Sequence, residues 1–248
     1  MNCGGTLTFQ IIKINRDKHM FSQLFLLLLS LVFSIAQKTT PLHKASKNPN
    51  HAAFMEVLNS LNSDYNVNAV DEDGNTALMW SSWQGHDLNV ASLIKAGATI
   101  DLQESDGNTA LLKASWNGKD RVVQLLLNAG ADVNKMNYYK ITSLMMASQQ
   151  GQANVVKILI NNGANVNDKD QGGVTALHKA CWMGRVDVVK ILIDAGANVN
   201  AARYDGITPS ALAESSVVEG RTQETAQAIL KLLENAGAVP PKKEKIDL

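Results

Sequence analysis

Beyond residue 36, the side chains best suited to metal ligation or nucleophilic attack are His43, His51, His86, His178 and Cys181. Their spacing matches none of the patterns that such chemistry requires. There is no His-Glu-x-x-His pair to share one helix face, no Cys-x-x-Cys, no Gly-x-Ser-x-Gly elbow and no Gly-x-x-x-x-Gly-Lys loop to cradle a phosphate. Gly172-Gly173 reads as a turn. No catalytic residue, metal or cofactor is expected. What the chain does offer is recognition chemistry. Trp83, Trp116, Gln149 and Trp182 stand at successive steps of 33 residues, and aromatic side chains bury much area for few rotors.

Composition narrows the partner. Of 248 residues, 45% are hydrophobic, 19% are charged, and the formal net charge is zero. Such a chain can bury a real core, but it lacks the basic excess that marks a nucleic-acid or anionic-membrane binder. Phe21 to Ala36 reads FSQLFLLLLSLVFSIA, preceded by Lys13, Arg16 and Lys18. This is the pattern of an export signal, with the small residues Ser34 and Ala36 placed for cleavage before Gln37. The run of 16 residues is shorter than the ~20 that a spanning helix needs. An uncleaved anchor is the alternative, and Met20 is an alternative start. Cleavage removes three basic and one acidic side chains, leaving 20 against 22, a mildly acidic mature chain. It also removes Cys3, so no intramolecular disulfide is expected. The chain contains no Asn-x-Ser/Thr site. It reads as exported, periplasmic or secreted, with no membrane span in the mature part.

The elements that position the tryptophans follow from an internal repeat. Thr76, Thr109, Thr142, Thr175 and Thr208 are 33 residues apart. Gly85, Gly118, Gly151 and Gly184 keep the same step, as do Gly97, Gly130, Gly163 and Gly196, and Val67, Ile100, Val133, Val166 and Val199. The clearest unit, Glu104 to Met136, is ESDGNTALLKASWNGKDRVVQLLLNAGADVNKM. It resembles the ankyrin repeat, whose pattern is roughly DxxGxTPLHxAAxxGHxxVVxLLLxxGAxVN, and the resemblance runs from Thr40 to Ala238.

Each position in the unit has a physical task. Asp106-Gly107 makes a turn with positive φ, and Thr109 caps a first helix. Gly118 and Gly130 end the first and second helices. Val122, Val123, Leu125, Leu126 and Leu127 form an apolar face that one unit cannot bury alone. The resemblance implies an all-α solenoid of about six helix-turn-helix repeats with β-hairpin-like loops. The expected divisions are a signal peptide at 1–36, a degenerate capping repeat at 37–70, repeats at 71–103, 104–136, 137–169 and 170–202, an altered C-terminal repeat at 203–238, and a disordered tail at 239–248.

Departures from the pattern carry their own expectations. Lys140 stands where the turn glycine belongs, so that turn should take another shape. Ser210 replaces a core leucine, and an insertion of eight residues is expected around Ser215 to Gln223. Trp80 shares its register with Lys113 and Lys179, which suggests exposure. Cys181, at a normally buried alanine position, reads as a small packed hydrophobe. The resemblance assigns His43 and His178 to tying adjacent loops together.

The resemblance also places the tryptophan column on the concave side, beside the loop tips. Met183 extends that face, and the tips carry Tyr138, Tyr139, Tyr204, Asn75 and Asn108. The expected function is reversible binding of a partner protein by a monomer, through this groove and these fingers. Two alternatives stay open: the tryptophans seal the stack between repeats, or the protein is a structural or protective envelope component without a groove partner.

Overall fold

The computed structural model describes residues 40–61, 65–215 and 222–240. The expected signal peptide, residues 216–221 of the expected insertion and the tail beyond Pro240 lie outside the described residues. The described residues form six helix pairs: α1 Pro41–Ser46 and α2 His51–Ser60, α3 Ala77–Gln84 and α4 Asp87–Lys95, α5 Ala110–Trp116 and α6 Asp120–Asn128, α7 Ser143–Gln150 and α8 Ala153–Asn161, α9 Ala176–Trp182 and α10 Val186–Asp194, α11 Pro209–Glu214 and α12 Gln223–Asn235. The odd-numbered helices pack side by side in one layer and the even-numbered in a second. The antiparallel bridge between Val70 and Thr76 marks the hairpin character of the first loop.

Threonine starts every first helix. The hydroxyls of Thr40, Thr76, Thr109, Thr142, Thr175 and Thr208 each accept the backbone N–H three residues on, which is worth about 1 kcal/mol per cap. Leu78, Leu111, Leu144 and Leu177 then point inward, each no more than 1% exposed. They meet Val123, Leu126, Val156, Leu159, Val189 and Leu192 from the second helices in one apolar cluster. Because each helix is short, its stability comes from burying this face against the neighbouring repeats rather than from propensity.

Fingers project between the pairs and bond to one another. The amides of Ser105, Tyr138, Gln171 and Tyr204 donate to the carbonyls of Asp73, Asp106, Tyr139 and Gly172 in the preceding finger, at 3.1–3.2 Å. The finger at Lys140 corrects the sequence reading. Its turn keeps the shape of the others, with the Lys140 amide donating to the Asn137 carbonyl as Gly107 donates to Glu104. Lys140 takes a left-handed backbone, φ 59°, to do so. The Asn137 side chain, which accepts the amides of Tyr139 and Ile141, and the flanking fingers hold the turn against the ~1–2 kcal/mol cost of that conformation.

An amide ladder links the loops that follow the second helices. Asn134, Asn167 and Asn200 each accept an amide from the next repeat through Oδ1. Each also donates through Nδ2 to a glycine carbonyl, Gly163, Gly196 or Gly237, at 3.0–3.2 Å. Asp101 holds the same register and accepts from Asp132 N, but its Oδ1 is buried without a partner. A carboxylate has no hydrogen to offer there. Asp101→Asn is expected to raise stability by about 1 kcal/mol, read as a higher urea midpoint with an unchanged slope. A lower midpoint would show that the carboxylate has a use this ladder does not reveal.

Candidate interaction surface

The tryptophan column lies at the C-terminal ends of α3, α5 and α9, with Gln149 in α7. Its backbone is fixed from the next repeat. The Trp83 carbonyl accepts from Asn117 Nδ2, that of Trp116 from Gln152 Nε2 and that of Gln149 from Arg185 Nε, at 3.0–3.4 Å. The side chains are left on the outside. Trp83 is 37% exposed and Trp182 48%, while Trp116, Gln149 and Met183 are half-buried. None of the three indoles belongs to the apolar cluster or to the partly buried side chains packed against it.

The fingertips supply three more rings. Tyr138, Tyr139 and Tyr204 are 59%, 52% and 74% exposed. Two of them lie on glycines of the preceding finger: a Cβ added to Gly107 would stand 2.7 Å from the Tyr138 ring, and one added to Gly173 would stand 3.1 Å from that of Tyr204. Both rings therefore rest against the preceding finger while most of their surface stays open to solvent.

Asn75 and Asn108 behave otherwise. Asn75 is buried, and both its amide and its Nδ2 donate to Asp71 Oδ1. Asn108 donates through Nδ2 to Glu104 Oε1 and accepts from Asn137 Nδ2, at 2.7 and 2.9 Å. Both asparagines hold the fingers together and are not offered to a partner. Trp80 also departs from its expected exposure. It is half-buried, its indole N–H donates to Asp71 Oδ2 at 2.7 Å, and Lys47 Nζ sits 3.7 Å from the ring centroid. The sequence signal for this is the pairing of Asp71 with Trp80, which Asp170 and Lys179 repeat as a 3.6 Å ion pair.

The histidines at the first-helix starts tie repeats together, as the resemblance implied. His43 Nε2 lies 2.9 Å from the Asn75 carbonyl and His178 Nε2 lies 3.2 Å from that of Ile207, while Thr40 and Thr175 hold the other ring nitrogens. Burial lowers the pKa of both below the usual 6.5, and the carbonyl contacts only partly offset it. The unfolded chain therefore takes up protons that the folded one resists, so stability present above pH 6.5 is lost as the pH falls toward the folded values. For Asp71 and Glu104 burial opposes ionisation. Hydrogen bonds from Trp80 and Asn75 to the first, and from Asn108 to the second, outweigh it and hold both carboxyls below their ordinary 3.8 and 4.5. Their contribution disappears at still lower pH. The urea midpoint is expected to fall between pH ~7.5 and ~5.5. It should fall less when His43 and His178 are both replaced by methionine, which already occupies that register as Met79 and Met145. An equal fall in both proteins would place the proton uptake elsewhere.

Cys181 is fully buried, in keeping with a packed small side chain. No helix among the described residues is long and apolar enough to cross a membrane.

Comparison with known proteins agrees with this architecture. A family model described as ankyrin repeats (3 copies) matches residues 16–104, 42–137 and 111–203. A crystal structure of an ankyrin repeat domain from Acinetobacter baumannii AYE is similar, with a TM-score of 0.68 and 32% sequence identity, covering 80% of this chain and 98% of that one. No curated protein matches the chain. With its repeat period, its six stacked helix pairs and a family match along most of its length, the chain belongs to the ankyrin repeat family.

Proposed function

We propose that this protein is an exported protein-binding module that grips a partner through its inner helix ends and loop fingers. Ankyrin repeats are generally protein–protein interaction modules and typically non-catalytic. The observation that carries the reading here is the set of exposed rings. Trp83, Trp182, Tyr138, Tyr139 and Tyr204 are five of the eight large hydrophobic side chains exposed among the described residues. Aromatic side chains of this kind dominate interface energetics, and a fold that keeps them outside its core has another use for them. Trp116, Gln149 and Met183 complete the surface, whereas Asn75 and Asn108 belong to the scaffold.

The binder acts as a monomer without chemistry on its partner, and the balanced charge directs it to protein rather than nucleic acid. Export rests on the leader that ends at Ala36. The test is cross-linked capture from the exported fraction, with mature protein beginning at Gln37 as bait beside a Trp83, Trp116, Trp182→Ala variant. A partner retained by the first and lost by the folded variant supports groove binding. The same partners with both baits, or none with either, sinks it and favours a structural envelope role.

A further inference from the structure

The residue three places after the capping threonine is, in successive repeats, His43, Met79, Leu112, Met145, His178 and Ala211. Histidine therefore stands at this register only where the first helix pair meets the second and where the fifth meets the sixth. These are the two junctions that join an end repeat to the rest of the array. His43 Nε2 reaches the Asn75 carbonyl ahead of α3, and His178 Nε2 reaches the Ile207 carbonyl ahead of α11. Both imidazoles are no more than 1% exposed.

Their hydrogen bonds leave no place for a second proton. A backbone N–H can only donate, and those of Thr40 and Thr175 point at Nδ1 of His43 and His178, at 3.3 and 3.2 Å. Nδ1 is thus an acceptor in each ring, and Nε2 carries the hydrogen given to the carbonyl. The threonine hydroxyls beside Nδ1 already accept the amides of the same histidines. A proton added at Nδ1 sets N–H against N–H and opens the capping box at the start of α1 or α9. Among the surrounding charges, Lys169 and Arg203 oppose a positive His178. Lys47 opposes a positive His43, while Asp71 favours it, and burial is the largest influence on both rings. His51 and His86 also join the first repeat to the second, but each meets an oxygen through Nδ1. A proton at their Nε2 leaves those bonds in place.

We propose that His43 and His178 are acid-released latches, which let both end repeats undock while the four central repeats stay folded. An undocked end repeat takes up its proton in water, so undocking is favoured as the pH falls below the ordinary 6.5 of a solvated imidazole. The central junctions carry Met79, Leu112 and Met145 at this register, side chains that do not titrate. When the last repeat leaves, the Tyr204 amide gives up the Gly172 carbonyl, and one ring of the aromatic surface goes with it. The latches do not depend on what that surface binds.

Hydrogen exchange of the full chain at pH ~7.5 and ~5.5, corrected for the intrinsic pH dependence of exchange, tests this. Protection of the helical amides in α1, α2, α11 and α12 should fall about tenfold, while that in α5 to α8 should hold. His43→Gln retains the cap, since glutamine closes the same box, but it does not titrate. It should remove the pH dependence from α1 and α2 alone, and His178→Gln from α11 and α12 alone, so each variant controls for the other. If a glutamine leaves its end repeat unprotected already at pH ~7.5, methionine, which Met79 and Met145 show to fit this register, takes its place. Unchanged protection of the end repeats in the native chain overturns the latches, and so does an equal loss in α5 to α8. A pH dependence that survives in the docked variants overturns the role given to these two histidines.

Discussion

Joint replacement of Trp83, Trp116 and Trp182 by alanine is expected to abolish partner capture while leaving the helical signal unchanged. Each truncated aromatic anchor at the centre of an interface costs about 2 kcal/mol or more, roughly a thirtyfold loss of affinity. Three such losses in one contiguous surface take binding out of range of a pull-down, even if they combine less than additively. The fold should withstand them. Trp83 and Trp182 are well exposed, and none of the three indoles packs against the core cluster. Circular dichroism and the urea midpoint of the triple variant check the second half of the expectation. If the variant unfolds, the column is a seal between repeats, and the interface must be sought at the tyrosine tips alone.

Gly107→Ala is expected to be the most damaging single methyl group in the finger ladder. Gly107 has φ 81°, and an added Cβ would stand 2.7 Å from both the Tyr138 amide nitrogen and its ring. A left-handed alanine costs about 1–2 kcal/mol by itself. The contact with the Tyr138 ring as well as its backbone obliges the two fingers to shift and weakens the 3.1 Å bond from Tyr138 N to the Asp106 carbonyl, which adds about 1 kcal/mol. Gly130 supplies the control: its φ is 91°, and an added Cβ meets nothing within 4 Å. Gly130→Ala should cost only the backbone strain, so the two variants should differ by about 1 kcal/mol or more in urea unfolding. Equal losses would mean that the fingers yield without strain. Lys140 already shows that a left-handed non-glycine is tolerated at the Gly107 register. By the same register its neighbour in the next finger is Gln171, a flexible side chain, where Gly107 faces the Tyr138 ring.

Much of the fold was legible in the sequence. The period of 33 residues located the threonine caps of α3, α5, α7, α9 and α11 and the left-handed glycines that follow α3 to α10, since these depend on groups within a few residues of each other. The Lys140 turn was not legible, because the preference of one residue was outweighed by the hydrogen bonds of the fingers on either side. The tryptophan and tyrosine positions were readable as a surface. Asn75 and Asn108 were assigned to that surface, although their side chains close the fingers from within. An asparagine at a turn reads alike from sequence whether its amide faces solvent or the carboxylate four residues before it.

The sequence by itself determined the solenoid, the length and order of its helix pairs and the aromatic character of one face. A repeat array is held by nearest-neighbour contacts, and each repeat carries the pattern for its own. Only the tertiary structure decided which polar side chains turn inward and what they meet. Asp71 meets Trp80, and His51 meets Asn89 from 38 residues away. Those pairings depend on the distance and rotation between successive repeats, which the packing of their apolar faces sets.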